Sequence, residues 1–306
     1  MTPSAVAAID CGTNSTRLLV ADAGGQQLTR LMRITRLGQG VDSRNRLAPE
    51  AIARTVAVLR EFRESMDAFA VDRTRMVATS AVRDAENGAA FVEAATAAVG
   101  VAPEVLSGSE EGELAYRGAS ADLSPFEGDT LVVDIGGGST EITLGRGDTV
   151  TSVSLQLGCV RLTERCLTSD PPTPEEVAAT RVVIEQALDS AQEAMPELSA
   201  LLPARRLVGL AGTVSTLAAL KLGIAAYDQE RLHHAAISRQ EVHDMCEQLA
   251  ALSARERKDL VGMVPGREDV ILGGALILDM VVALAGVPEV IASEHDILDG
   301  IALSLR

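Results

Sequence analysis

Asp10-Cys-Gly-Thr-Asn-Ser-Thr16 and Asp134-Ile-Gly-Gly-Gly-Ser-Thr140 both read D-x-G-x-x-S-T. Each aspartate closes an apolar run, residues 6–9 in the first case and 131–133 in the second, and apolar residues resume at Leu18-Leu19-Val20 and at Ile142-Thr-Leu144. An apolar run, a cluster of glycine and small polar residues, and a second apolar run read as strand, tight turn and strand. Glycine at 12 and at 136, 137 and 138 is expected to adopt backbone angles closed to other residues, turning successive N–H groups toward one point as a nest for phosphate oxygens. The aspartate ending each first strand is placed to hold a divalent cation or its water shell beside those phosphates. Two such hairpins, each opening one half of the chain, imply duplicated domains.

Working outward, 306 residues suffice for two ordinary cores. The hydrophobic content is 47% but aromatics make up only 2%, so Val, Leu, Ile and Ala must build those cores. Scarce aromatics exclude stacking platforms for single-stranded nucleic acid, and a net charge of −16 disfavours duplex partners. A phosphate site in so acidic a chain needs local arginines, backbone amides or a metal ion. Cys11, Cys159, Cys166 and Cys246 lack C-x-x-C spacing and read as reduced thiols of a cytoplasmic protein. The N-terminus has no basic segment and enters a strand at once, so no signal peptide is expected. The apolar stretch 270–287 contains Asp279 and reads as a buried helix rather than a membrane span.

Helical periodicity over 49–69, a short strand at 76–80, a helix over 87–99 and a strand at 104–106 give alternating α and β elements in the first half. Polar residues around Pro125 and Gly128 mark a junction, giving expected domains 1–124 and 125–306. In the second half, Thr173-Pro-Glu-Glu176 and Ser238-Arg-Gln-Glu241 are capping boxes. Leu207-Val-Gly-Leu-Ala-Gly-Thr213 runs a third strand into a glycine turn, with a helix expected from Val214. The last segment, about 295–306, reads as a closing helix.

Among residues able to do chemistry, Asp134 and Glu141 flank one turn and would suit a hard cation, Mg²⁺ or Mn²⁺. Ser107-Gly-Ser-Glu-Glu-Gly-Glu113 crowds carboxylates at a helix start, capped by Ser107 or Ser109, and can supply a general base. Arg83, just after a strand, can grip phosphate. Arg17, Arg161, Arg165, Arg205, Arg206 and Arg267 read mostly as surface charge. His233, His234, His243 and His295 show no metal spacing and read as structural or surface groups.

Taken in order, Asp10-x-Gly-x-Asn-Ser15, Ala78-Thr-Ser-Ala-Val-Arg83, Ser107-Gly-Ser-Glu-Glu111, Asp134-Ile-Gly-Gly-Gly-Ser-Thr-Glu141 and Gly209-Leu-Ala-Gly-Thr213 resemble the exopolyphosphatase / guanosine pentaphosphate phosphohydrolase family. The resemblance implies an α/β fold of two ribonuclease-H-like lobes around a cleft, as in actin, hexokinase and the Hsp70 ATPase, with the closing helix packing back on the first lobe. It implies Glu111 as the base activating water and Asp134 and Glu141 as metal ligands. Asp10, Gly12, Asn14, Ser15, Arg83, Gly136, Gly137, Gly138, Ser139, Gly212 and Thr213 would bind substrate phosphate. It further implies a cytoplasmic homodimeric hydrolase acting on inorganic polyphosphate, with guanosine pentaphosphate as the alternative substrate. A small-molecule kinase of the same superfamily and a non-catalytic polyphosphate sensor are the rival classes. Longer members carry a helical C-terminal extension, and this chain reads as the short form.

Overall fold

The computed structural model describes residues 5–124, 128–200 and 205–306; residues 1–4, Pro125 of the junction and the side chain of Arg205 lie outside them. The chain divides into two compact units, one of residues 1–121 with 296–306 and one of residues 122–295.

The first unit is built on β1 (Ala5–Cys11), β2 (Ser15–Asp22), β3 (Gln27–Ile34), β4 (Val71–Ala78) and β5 (Glu104–Val105), in the order β3-β2-β1-β4-β5. The β1–β2–β3 meander is antiparallel, and β4 and β5 continue parallel to β1. The second unit has β6 (Asp129–Ile135), β7 (Thr140–Arg146), β8 (Thr149–Leu155), β9 (Arg205–Leu210), β10 (Ala236–Ser238) and β11 (Glu289–Ala292), in the order β10-β11-β9-β6-β7-β8. It repeats the antiparallel meander (β6–β7–β8) and the two following parallel strands (β9, β11), and adds β10 antiparallel at the edge. Both units are therefore mixed-sheet α/β folds of the ribonuclease-H-like order.

Side chains alternate between sheet faces. In β1, Ala5, Ala7 and Ile9 join a core with Leu59, Phe62, Met66 and Phe91 from the helices Pro49–Ala68 and Gly88–Val99. In β6, Leu131, Val133 and Ile135 likewise join Ile184, Leu217 and Leu276 from the helices Pro174–Ala194, Ala211–Leu222 and Ile271–Ala285. Asp10 and Asp134 belong to the opposite parity, so each points away from its unit's main core. The capping boxes at Thr173 and Ser238 form, and the 270–287 stretch is a nearly fully buried helix. Among the described residues, no helix is long and apolar enough to cross a membrane.

The closing helix, Ile297–Leu303, belongs to the first unit and crosses the helix Gly108–Ser120 backbone to backbone. A Cβ on Gly300 would lie 2.0 Å from the Leu114 carbonyl oxygen, and one on Gly118 would lie 1.9 Å from that of Asp296. Neither contact can be relieved by turning a side chain. Gly300→Ala should therefore force the helices apart and lower stability by about 1–3 kcal/mol, the usual range for overpacking; urea denaturation unchanged from wild type would refute this contact.

Candidate active site

In both units the motif residues gather where parallel strands end, the edge at which open α/β sheets bind ligands. In the first unit, β1 and β4 run parallel with Asp10 beside Val77, so the turn after β1 lies next to the Thr79–Arg83 segment. In the second, Asp134 of β6 lies beside Leu210 of β9, which brings the Gly136 turn next to Ala211, Gly212 and Thr213.

The two hairpin turns are closed alike, by Gly12 N–H donating to the Ser15 carbonyl and Gly136 N–H to that of Ser139, each at 3.0 Å. The turns do not use the positive-φ angles that glycine allows: none of Gly12, Gly136, Gly137 or Gly138 has a positive φ. Space is tight at two of them: a Cβ on Gly12 would lie 3.0 Å from the Ser15 oxygen and one on Gly136 3.1 Å from that of Ser139. The left-handed residue falls at the third turn, where Ala211 has φ 63. For a non-glycine residue this is strain of about 1–3 kcal/mol. The following helix starts there, at Ala211, three residues before the expected Val214.

The first loop is held by segment 35–38, whose Thr35 and Arg36 N–H groups donate to the Asn14 carbonyl and whose Gly38 N–H donates to that of Thr13. Asn14 is buried, and among the described residues neither its side-chain Nδ2 nor Oδ1 of Asp10 has a hydrogen-bond partner. An unpaired buried donor suits a phosphate oxygen; the unpaired carboxylate oxygen suits a cation or water. The second loop is welded to the helix Cys159–Cys166: Cys159 N–H donates to Gly136, Val160 and Arg161 N–H to Gly137, and the Arg161 side chain to Gly138 at 2.7 Å.

Glu110 and Glu111 separate in role. Ser107 is the cap, and Glu110 closes its capping box by accepting from Ser107 N–H at 2.9 Å. Glu111, one residue on, is buried and accepts from Arg83 Nη1 at 3.2 Å; the same nitrogen donates to the Leu106 carbonyl at 2.8 Å. Arg83 and Glu111, the predicted phosphate ligand and base, are thus in contact.

The electrostatics of the two hairpins differ. Opposite Asp10 stands Arg17, which donates from Nε at 3.0 Å and Nη2 at 2.7 Å. Arg17 also pairs with Asp296, which in turn takes Arg30 at 2.9 Å, while Arg30 reaches Asp299 at 3.0 Å. Burial alone would raise both aspartates; it wins at Asp10, whose carboxyl stays above its usual range, whereas Arg17 and Arg30 outweigh it at Asp296, which is held below. Opposite Asp134 stands Glu141, also buried. Direct cross-strand partners lie side by side on one face, and like charges there are unfavourable. An all-oxygen pair of carboxylates on neighbouring strands fits a hard divalent cation, and these two residues would hold it.

Three arginines read as surface charge are not. Arg17 is the centre of the ion-pair network above, Arg161 anchors a loop carbonyl, and Arg267 is buried with its guanidinium against Gly212, where a Cβ would lie 1.7 Å from Nη2. Thr213 is buried beside Gly274. Arginine type and sequence position carry no signal of this, because the contacts are tertiary. Burial pushes the thiols of Cys11, Cys159 and Cys246 upward, which removes them as nucleophiles.

The histidines also gather without sequence spacing. His233 Nε2 lies 2.6 Å, His295 Nδ1 3.2 Å and His234 Nε2 3.7 Å from one Asp122 oxygen, while His243 lies by Asp279. Because Glu294 N–H donates to His233 Nδ1, the proton of neutral His233 sits on Nε2 and points to Asp122. That makes a hydrogen-bonded clip, not a metal-ready lone pair.

Comparison with known proteins matches residues 19–305 to the Ppx/GppA phosphatase family. The chain belongs to that family. It is 47% identical to exopolyphosphatase 2 of Mycobacterium tuberculosis over 317 aligned positions, covering 98% of each chain. The crystal structure of the Aquifex aeolicus Ppx/GppA family member superposes with a TM-score of 0.81 at 33% identity, over 99% of this chain and 97% of that one. An exopolyphosphatase from Cytophaga hutchinsonii superposes with a TM-score of 0.89 at 25% identity, over 99% and 97%. This Ppx/GppA chain is accordingly an enzyme, a hydrolase of phosphoanhydrides.

If Asp134 and Glu141 repel each other without a cation, Glu141→Gln should raise the melting temperature in EDTA, by the equivalent of about 1 kcal/mol. Added Mg²⁺ should stabilise the wild type but not the variant. A variant less stable than wild type in EDTA would contradict the repulsion.

Proposed function

We propose that the chain is an exopolyphosphatase that removes the terminal phosphate of inorganic polyphosphate with the help of Mg²⁺ or Mn²⁺. The observation that carries this reading is the buried, register-paired Asp134 and Glu141, a pair that a cation would relieve and a phosphate chain alone would aggravate. Bound there, the cation would shield phosphate charge and stabilise the departing oxygen.

The remaining chemistry falls to the chain's own groups. Arg83, fixed by Leu106 and Glu111, grips oxygens of the terminal phosphate. Asn14 Nδ2, Ser15, Ser139, Thr213 and the backbone N–H groups around Gly12, Gly136, Gly137, Gly138 and Gly212 supply further donors. Glu111 orients a water in line with the bridging bond and takes its proton. The water oxygen then bonds to the terminal phosphorus, the bridging P–O bond breaks, and orthophosphate and the shortened chain separate. The relative named exopolyphosphatase 2 supports polyphosphate as substrate; guanosine pentaphosphate stays the alternative that the sequence resemblance implies. A cytoplasmic homodimer completes the proposal, and the four free cysteines support a reducing compartment.

Glu111→Gln should lower kcat by about 10²- to 10⁴-fold, the usual worth of a general base, with polyphosphate binding retained; undiminished turnover would remove Glu111 from this role. Phosphate release from polyphosphate and from guanosine pentaphosphate, assayed in parallel, should favour polyphosphate and stop in EDTA. ATP-dependent transfer to an acceptor, or tight polyphosphate binding with no release in Mg²⁺, would replace the hydrolase with a kinase or a sensor.

A further inference from the structure

Glu141 is opposed on its other side by Ser154 of β8, so Leu210, Asp134, Glu141 and Ser154 form one row across four strands on a single sheet face. The Ser154 hydroxyl donates to Glu141 Oε1 at 2.7 Å. From this row we propose that Ser154 is a positioning residue for the cation: it fixes the Glu141 carboxylate in the attitude required for coordination. The inference rests on the reading of Asp134 and Glu141 as cation ligands.

The argument is one of geometry and of contrast. A glutamate reaches its ligand through three rotatable bonds, and immobilising it is part of what cation binding must accomplish. A hydroxyl already bonded to one carboxylate oxygen removes that freedom beforehand, and partners of this kind typically govern metal affinity by about 10- to 100-fold. The equivalent row of the first unit is Val77, Asp10, Arg17 and Met32. There the carboxylate is paired with an arginine, and the position matching Ser154 carries a thioether that donates nothing. The supporting hydroxyl therefore accompanies the pair of carboxylates and is missing where the pair is neutralised. A second hydroxyl contact on the same face, Thr143 Oγ1 to Ser152 Oγ at 2.8 Å, lies one rung away and touches neither carboxylate. It supplies an internal control for simple strand stability.

The experiment measures Mn²⁺ binding by titration calorimetry, and Mn²⁺ activation of phosphate release, in wild type, Ser154→Ala, Ser154→Thr, Ser152→Ala and Glu141→Gln. Ser154→Ala should weaken Mn²⁺ binding about 10-fold or more, while kcat at saturating Mn²⁺ stays within about twofold of wild type. Ser154→Thr should restore affinity, and Ser152→Ala should bind like wild type. Weakened binding in Glu141→Gln with unchanged binding in Ser154→Ala overturns the role of Ser154 alone. Equal weakening in Ser152→Ala overturns it as a generic effect of the strand pair. Unchanged binding in Glu141→Gln removes the cation reading itself, and Ser154 with it.

Discussion

An antiparallel register puts one residue opposite another, and in this protein the choice of partner decides what each hairpin can do. Asp10 faces Arg17, and its charge is spent inside the fold on a network that reaches Asp296, Arg30 and Asp299. Asp134 faces Glu141, and two buried carboxyl groups stand side by side. The same backbone, closed by the same glycine hydrogen bond, thus serves as a structural clamp in one unit and a candidate cation site in the other. Burying a carboxylate is unfavourable unless it is compensated, and the first hairpin meets part of that requirement with an arginine on the facing strand.

Around these hairpins the sheet does the collecting. Parallel strands place their carboxyl ends together, and the chain leaves each through a turn that exposes N–H groups and small polar side chains. Peptides approach closely here: a Cβ would be tight at Gly12 and Gly136 within the turns, and glycine is needed at Gly158, where a Cβ would lie 2.3 Å from the Gly137 oxygen. The closing helix meets the Glu111 helix through Gly118 and Gly300, so residues from the far end of the chain brace the helix that carries the candidate base. In a chain with a net charge of −16, favourable charge for a phosphate must be held locally, and two arginines are placed for it, Arg83 just after β4 and the buried Arg267 against Gly212 just after β9.

Much of the fold was legible because its signals are local. The apolar runs before Asp10 and Asp134, the period of residues 49–69, and the capping boxes at Thr173 and Ser238 each act within a turn or two of backbone. Of the expected strand at 76–80, residues 76–78 are the end of a longer β4 that begins at Val71, whose outer residues are too polar to stand out as buried, while Thr79 caps the short helix Ser80–Arg83. The motif residues were legible in type. The family resemblance singled out Glu111, whereas residue type could not, because Glu110 and Glu111 are chemically identical; the structure supplies a physical difference, with Glu110 closing the cap on Ser107 and Glu111 accepting from Arg83.

By itself the sequence determined the duplication, the turn positions and the residues capable of phosphate and cation chemistry, because hydrophobic period and turn composition operate over short distances. Tertiary structure alone decided which charges meet. The ion pairs of Arg17, the burial of Arg267, the gathering of three histidines around Asp122, and the row from Leu210 to Ser154 depend on strand register and chain crossing, which bring together groups that lie far apart along the backbone.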